Sequence, residues 1–244
     1  MKNPLPAAAV GGSQKVEVRL LGGNTVDLSD VQSRKGLINL AHENTGTGNV
    51  VRFASGCKFD GSIEVHGSGN VIDVGTQCVI RGKIVVEGRN QRVTIGAHTT
   101  FVGVYLLCIE DCNLEIGAHC MFSRDIEIRT SDAHSIIDRA TGRRINAAAS
   151  VHIGNHVWIG VGALVSKGVR IADDSIVGAK SFVNGVFTEE GVVLAGAPAR
   201  IVKRGVTWHR TRREQFDLEE IDRWRDAPAP GEPDAEIDSL AEPG

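Results

Sequence analysis

Residues 153–183 read IGNHVW-IGVGAL-VSKGVR-IADDSI-VGAKSF-V. An aliphatic residue opens every sixth position: Ile153, Ile159, Val165, Ile171, Val177 and Val183. Upstream the same anchor recurs in triplets spaced by six, repeated every 21 residues: Phe53, Phe59, Val65; Val74, Ile80, Val86; Ile95, Phe101, Leu107; Ile116, Phe122, Ile128. Six residues are too few for a helix–turn unit and too regular for a sandwich, but they suit a short strand plus a corner. Three such units close a triangular coil of 18 residues, and a spacing of 21 reads as that coil with three residues bulging at one corner, around Gly67–Asn70, Gly88–Gln91 and Asp111–Asn113. Coils would stack about 4.8 Å apart, as neighbouring strands do. A single coil would not hold: each anchor gains about 1.5–3 kcal/mol on burial, while ordering the backbone costs about 1–2 kcal/mol per residue. Stacking supplies the rest.

A second register runs with the first. One residue after the anchor is often glycine: Gly75, Gly96, Gly117, Gly154, Gly160 and Gly178. This suits a tight backbone corner. Four residues after it stands a small or β-branched side chain: Cys57, Cys78, Thr99, Cys120, Val157, Ala163, Val169, Ser175 and Ser181. Three of the five cysteines are thereby explained as stacked core residues, leaving Cys108 and Cys112 without a place.

The 244 residues are 41% apolar but only 5% aromatic, so the core must be mainly aliphatic. No apolar run approaches the roughly 20 residues of a membrane helix, and the first residues lack the apolar stretch of a signal peptide. A cytoplasmic protein without an integral membrane segment is expected, and the odd number of cysteines argues against a disulfide framework. Residues 226–244 hold six acids, no base and four of the seven prolines, and read as a disordered acidic tail; residues 1–15 read as a flexible N-terminus. Without the tail the chain has 27 basic and 24 acidic residues, a net +3, too weak a charge to argue for nucleic acid.

The pattern [Leu/Ile/Val]-[Gly/Ala]-x-x-[small]-x resembles that of the hexapeptide-repeat acyltransferases. The resemblance covers about residues 50–196, and weaker strand-like stretches at Val16–Leu20, Thr25–Leu28 and Gly36–Leu40 begin the stack. It implies an all-β fold, a left-handed parallel β-helix over 16–203, and a homotrimer with active sites at subunit interfaces.

The regular step from Ile128 would land on His134, and the repeat resumes only at Ile153. The intervening loop, 129–152, is polar and leaves a rigid scaffold, a common place for chemistry. His134 lies between Asp132 and Asp138. An imidazole exchanges protons near neutral pH, and a carboxylate on one ring nitrogen would fix its tautomer; spacing leaves either aspartate available. Ser131–Asp138, Gly142–Asn146 and Ile153–Gly160 resemble the capsule, O-antigen and polysialic-acid O-acetyltransferase branch of the family. That resemblance implies that His134 is the general base, with Asp132 the first and Asp138 the second choice as its orienting acid. It also makes Trp158, in the outward last place of its hexad, a wall of the acyl or acceptor site; subunit packing is the alternative. Acetyl-CoA is the implied co-substrate, a saccharide the acceptor, and no metal is expected. A backbone N–H near Gly160–Gly162 is the candidate oxyanion donor.

For the cofactor, the family pattern points to the last coils. Ala179 matches the small residue beside the pantetheine arm, and Gly196–Lys203 matches the closing Gly-x-Pro-x-[Lys/Arg] segment, which makes Arg200 and Lys203 candidates for phosphate contacts. The family often has Thr-Lys where this chain has Asn184 and Gly185; Lys180 or Lys167 would take that role. Residues 200–213 carry six bases and no acid, and Thr211-x-x-Glu214 resembles a capping box opening a helix with Leu218, Ile221 and Trp224 on one stripe. That segment, 204–225, docks on the stack, or else meets coenzyme A phosphate or an anionic glycan. Two rival readings stand beside this one. His98, His119 and His156 fall at equivalent places and would form a zinc column, as in the γ-class carbonic anhydrases that share the fold. A bare scaffold would need a flat repetitive face, which loop 129–152 and Trp158 break. Serine, small-sugar and antibiotic acetyltransferases are the alternatives within the family.

Overall fold

The computed structural model describes residues 16–225. The expected N-terminus and acidic tail lie outside these residues. The chain winds as a parallel β-solenoid of about eight turns. One face is an eight-stranded sheet, in chain order Thr25–Asp27, Val50–Phe53, Val71–Val74, Arg92–Ile95, Leu114–Ile116, Val151–Ile153, Arg170–Ile171 and Val186–Phe187. The other two faces are the arms of one larger sheet, joined where it folds along the 11-residue strand Val79–Arg89. The start of that strand pairs with Thr100–Phe101 on the second face, and its remainder pairs with Val104–Ile109 on the third. The chain ends its winding in an antiparallel hairpin, Val192–Gly196 with Ala199–Arg204.

The anchors form buried columns. On the first face Phe53, Val74, Ile95, Ile116, Ile153 and Ile171 stack in register. On the second, Phe59 stands over Ile80, and Phe101, Phe122, Ile159, Val177 and Leu194 continue the line, with the rings of Phe101 and Phe122 stacked at 4.9 Å. The third face departs from the expected register. Thr100 pairs with Val79 at an offset of 21, but Val104 pairs with Gly82 at an offset of 22, because one extra residue enters at the Val102-Gly103 corner. A one-residue slip turns a side chain to the opposite face. Cys108 therefore takes the inward place beside Val86, and Leu107 faces out. A further extra residue in the next coil sets Ile128 under Leu106 and Ile84 rather than in the column of Val65 and Val86.

Every expected small residue of the second register is buried, from Cys57 to Ser181. They also carry hydrogen bonds. Cys57 Sγ, Cys78 Sγ, Thr99 Oγ1 and Cys120 Sγ each donate to the carbonyl of the corner glycine in the next coil, Gly75, Gly96, Gly117 and Gly154, at 2.9–3.2 Å. Cys108 joins the core, where burial pushes its thiol up to about 12.

The glycines serve a different end from the expected one. The left-handed corner conformation falls on Gln77, His98, His119, His156 and Asp174, with φ of 51–59°. Gly75, Gly96 and Gly117 are required because the next coil lies against them: an added Cβ would meet its backbone at 2.4–2.6 Å. Among the described residues no helix is long and apolar enough to cross a membrane.

Candidate active site

The loop that carries His134 enlarges a corner that bulges in every earlier coil. At the junction of the third and first faces, Asn49 Oδ1 accepts from the Asn70 N–H and Asn70 Oδ1 from the Gln91 N–H, both at 3.0 Å, and Asn113 Oδ1 accepts from the Arg92 N–H at 2.8 Å. At that corner, between Ile126–Arg129 and Val151–Ile153, the chain runs out into the loop. Its ends are clamped to the stack: Ala149 N–H donates to Thr130 O at 2.9 Å, and Gly168 N–H in the next coil donates to Ala149 O at 3.3 Å.

Asn146 organises the interior of the loop. Its Nδ2 donates to Asp132 Oδ2 and to the His134 carbonyl, both at 2.8 Å. Its Oδ1 accepts from the Ile136 N–H at 2.7 Å and from Arg144 Nε at 3.2 Å. Lys167 Nζ donates to Asp132 and, at 3.1 Å, to the Asn146 carbonyl. Lys167 and Asn146 hold the Asp132 carboxyl below its ordinary range. Ala133, immediately before His134, has φ of 64°, unusual for a residue with a Cβ, and its N–H is tied to Ser131 Oγ at 3.0 Å. His134 is exposed and is held through its backbone; among the described residues no hydrogen bond or ion pair reaches its ring. Beyond it a small hairpin projects, with Ile137 bridged to Arg144 and with Ile136, Ile137 and Ile145 exposed. Asp138 closes the tip of that hairpin, accepting from the Thr141 N–H at 2.7 Å and hydroxyl at 2.6 Å. Of the two aspartates, Asp132 belongs to the network that fixes the His134 backbone. Asn146 and Lys167 complete that network; a polar residue at the end of a loop gives no sequence signal of such a role.

Glu110 bolts the loop from the coil below. Its carboxylate takes Arg144 Nη2 at 3.0 Å and the Ser131 hydroxyl. These two partners lower its pKa from 4.5 to about 2. A depressed carboxylate stabilises the folded arrangement above its ordinary pKa and ceases to do so as pH falls through the depressed value. The loop is therefore expected to loosen between about pH 4.5 and about pH 2, with faster amide exchange at 131–146. Glu110→Gln should show that faster exchange already at neutral pH; equal protection in the two proteins would refute the bolt.

The remaining candidates lie elsewhere on the prism. Trp158 opens the strand Trp158–Ile159 on the second face, 38% exposed, between Met121 and Ile176. Gly160, Ala179 and Lys180 share the next corner: a Cβ on Gly160 would lie 2.7 Å from Ala179 N, and one on Gly162 would lie 2.5 Å from Lys180 Nζ. Ala179, Lys180 and Asn184 are exposed, Asn184 just beyond the third face. Arg200 and Lys203 are exposed on the closing hairpin, Arg200 donating to the Ala199 carbonyl at 2.7 Å. The N–H groups of Gly160 and Gly162 are already given to Val177 O at 2.8 Å and Arg124 O at 3.0 Å, so neither is a free oxyanion donor. One chain thus places His134 at the junction of the third and first faces, Trp158 and the basic closing hairpin on the second face, and Lys180 at the corner that follows it.

The segment after the hairpin does not open a helix at Thr211. The Thr211 hydroxyl turns back to His209 Nδ1 at 2.7 Å, and the α-helix spans only Leu218–Ile221, capped at Asp217 without a side-chain bond. Leu218 is exposed. The reason is tertiary: residues 207–210 run as a strap down the corner between the first and second faces. Thr207 Oγ1 donates to Asp174 at 2.7 Å, Trp208 Nε1 to the His156 carbonyl at 2.8 Å, and Arg210 to the carbonyls of Cys120 at 3.0 Å and His98 at 3.2 Å. Those bonds hold the chain extended. The histidine column lies under the strap. His98 and His119 stack face to face, while His156 binds Asp174 at 2.8 Å and stacks on Trp208 and Trp224. Among the described residues no group of three ligating side chains converges.

No family model matches the chain. The polysialic acid O-acetyltransferase of Escherichia coli O1:K1 is 34% identical over 97 residues, which span 40% of this chain and only 31% of that relative's length. Two solved structures match far more of the length. The polySia-specific acetyltransferase NeuO superposes with a TM-score of 0.76 at 28% identity, over 88% of this chain and 96% of its own. The polysialic acid O-acetyltransferase OatWY does so with a TM-score of 0.71 at 26% identity, over 85% and 100%. Coils, corner loop and closing hairpin together define a hexapeptide-repeat β-solenoid. The chain is similar, over most of its length, to structures of polysialic acid O-acetyltransferases.

Proposed function

We propose that this protein transfers an acetyl group from acetyl-CoA to a hydroxyl of a surface polysaccharide or its precursor, with His134 as the general base. The observation that carries this reading is the network around Asn146. A buried amide uses both of its donors and both acceptor sites, and one donor goes to the backbone of a single exposed histidine on a loop. A fixed backbone beneath an exposed imidazole has a use in proton transfer. Similarity to polysialic acid O-acetyltransferases supports an acetyl donor and a glycan acceptor, and makes a sialic acid polymer the first acceptor to test.

In the reaction, a ring nitrogen of His134 takes the proton of the acceptor hydroxyl as its oxygen attacks the thioester carbonyl. The tetrahedral intermediate collapses, the C–S bond breaks, and the imidazolium returns the proton to the departing thiolate. The transfer requires no nucleophilic cysteine, and burial pushes the thiols of Cys108 and Cys120 up to about 12. Lys180, Arg200, Lys203 and Asn184 are the groups available to an elongated anionic donor, with Gly160 and Ala179 leaving room for its thin arm. Because Trp158 and Lys180 lie on other sides of the prism from the corner that carries His134, the working site is completed by neighbouring copies, in a trimer with clefts between subunits. The need for acetyl-CoA places the reaction in the cytoplasm.

Acceptor-dependent release of free thiol from acetyl-CoA, measured against a panel of saccharides that includes polysialic acid, tests the reading. Release with none of them would overturn it. Trp158→Ala should weaken transfer without unfolding the chain; unchanged steady-state constants would count against Trp158 as a wall of the site.

A further inference from the structure

Trp158 is poorly constrained by its own strand. Its rung neighbours Met121 and Ile176 flank it along the stack, and 38% of the residue remains exposed. A wall of a reaction site needs a fixed plane, since misplacement by about 1 Å can cost about 10²-fold in rate. The strap supplies a fixed neighbour. The Trp208 ring lies 6.1 Å from that of Trp158, inclined at 45°, and is itself 6% exposed.

Trp208 is held from several directions. Its N–H is bonded to the His156 carbonyl at 2.8 Å, its ring lies 4.3 Å from the His156 imidazole at 9°, and the Arg210 guanidinium sits 5.8 Å from its centroid. Arg210 is in turn bonded to Cys120, His98 and, at 2.8 Å, Thr100 Oγ1. Covering apolar surface would need only a leucine. An indole whose N–H is bonded has its plane set as well as its position.

We propose that Trp208 is a positioning residue for the candidate site, holding the Trp158 indole in one orientation through the strap. This rests on Trp158 being a wall of that site, so the test separates the two claims. The chain has three tryptophans. Trp208→Leu and Trp208→Phe are each made in the full chain together with Trp224→Phe, so that Trp158 alone emits. With leucine, acrylamide quenching of Trp158 is expected to rise at least about twofold over the phenylalanine form. Turnover should fall about 10-fold, within the range that misplacement allows, with KM for acetyl-CoA changed less than about twofold. Phenylalanine, which keeps a ring against Trp158, should restore much of the turnover. Equal quenching in the two variants overturns the proposal, and so does increased quenching with turnover at the level of Trp224→Phe. If Trp158→Ala alone leaves turnover intact, the reading of Trp158 as a wall fails; the quenching comparison then still reports whether Trp208 orients it. Thermal melting above the assay temperature in each variant assigns the changes to the site rather than to unfolding.

Discussion

His134→Ala is expected to lower acetyl transfer by at least about 10²-fold, the usual loss when a positioned general base is removed. That corresponds to about 2.7 kcal/mol of transition-state stabilisation. The melting temperature should not move. The residue is exposed, and the contact that fixes it, from Asn146 Nδ2, is made to its carbonyl, which alanine keeps. Asn146→Ala should act through the same histidine by releasing that carbonyl, and so reduce turnover with the imidazole still present. The measurement is thiol release with an acceptor proven on the unaltered protein. Near-normal release by His134→Ala would refute the assignment of the base, whatever the acceptor.

The second large effect concerns the stack. Gly117→Val is expected to destabilise the protein by about 3 kcal/mol, as overpacking against rigid surroundings does. The φ of Gly117 is not in the left-handed region, so its own backbone would accept a side chain. The obstacle is the next coil: a Cβ would meet the Gly154 carbonyl at 2.5 Å and Asn155 N at 2.6 Å, and would strain the Gly117 N–H bond to Ile153 O, now 2.8 Å. The coil that would be pushed away is the one on which loop 129–152 lands. Gly22→Ala is the control, since nothing lies within 4 Å of its added Cβ, and it should stay within about 0.5 kcal/mol of the parent. Urea unfolding of both proteins decides. Equal midpoints would show that successive coils do not constrain these glycines.

The architecture could be read in the chain because the repeat repeats one physical problem. Each coil must bury one aliphatic residue per side and fit a small side chain at each turn, and the same solution recurs from Phe53 to Val183. Where the reading slipped, the energetic signal was weak. Leu107 and Cys108 are adjacent and both apolar, and only the one-residue excess at Val102-Gly103 decides which faces in. Corner glycines look alike whether they are chosen for φ or for close approach, so their role needed the neighbouring coil. His134 was visible because it sits where the repeat stops. The network of Asn146, Lys167 and Glu110 was not, and the sequence suggests Lys167 only as a cofactor contact, since their partners are 12–35 residues away in the chain or on the coil below.

The C-terminal segment shows the same division. Thr211 and Glu214 have the local pattern of a helix start, but Trp208 and Arg210 are bonded to residues 52–112 positions away, and those bonds keep the segment extended. Alone, the amino-acid order determined the prism, its rung spacing, the corner where it opens and the histidine at that opening, because each follows from burial periodicity or its interruption. Only the folded chain decided which side chains hold that histidine's backbone, what stands beside Trp158 and how the strap runs. Those are contacts between coils, and no periodicity along the sequence encodes which residues of distant turns will meet.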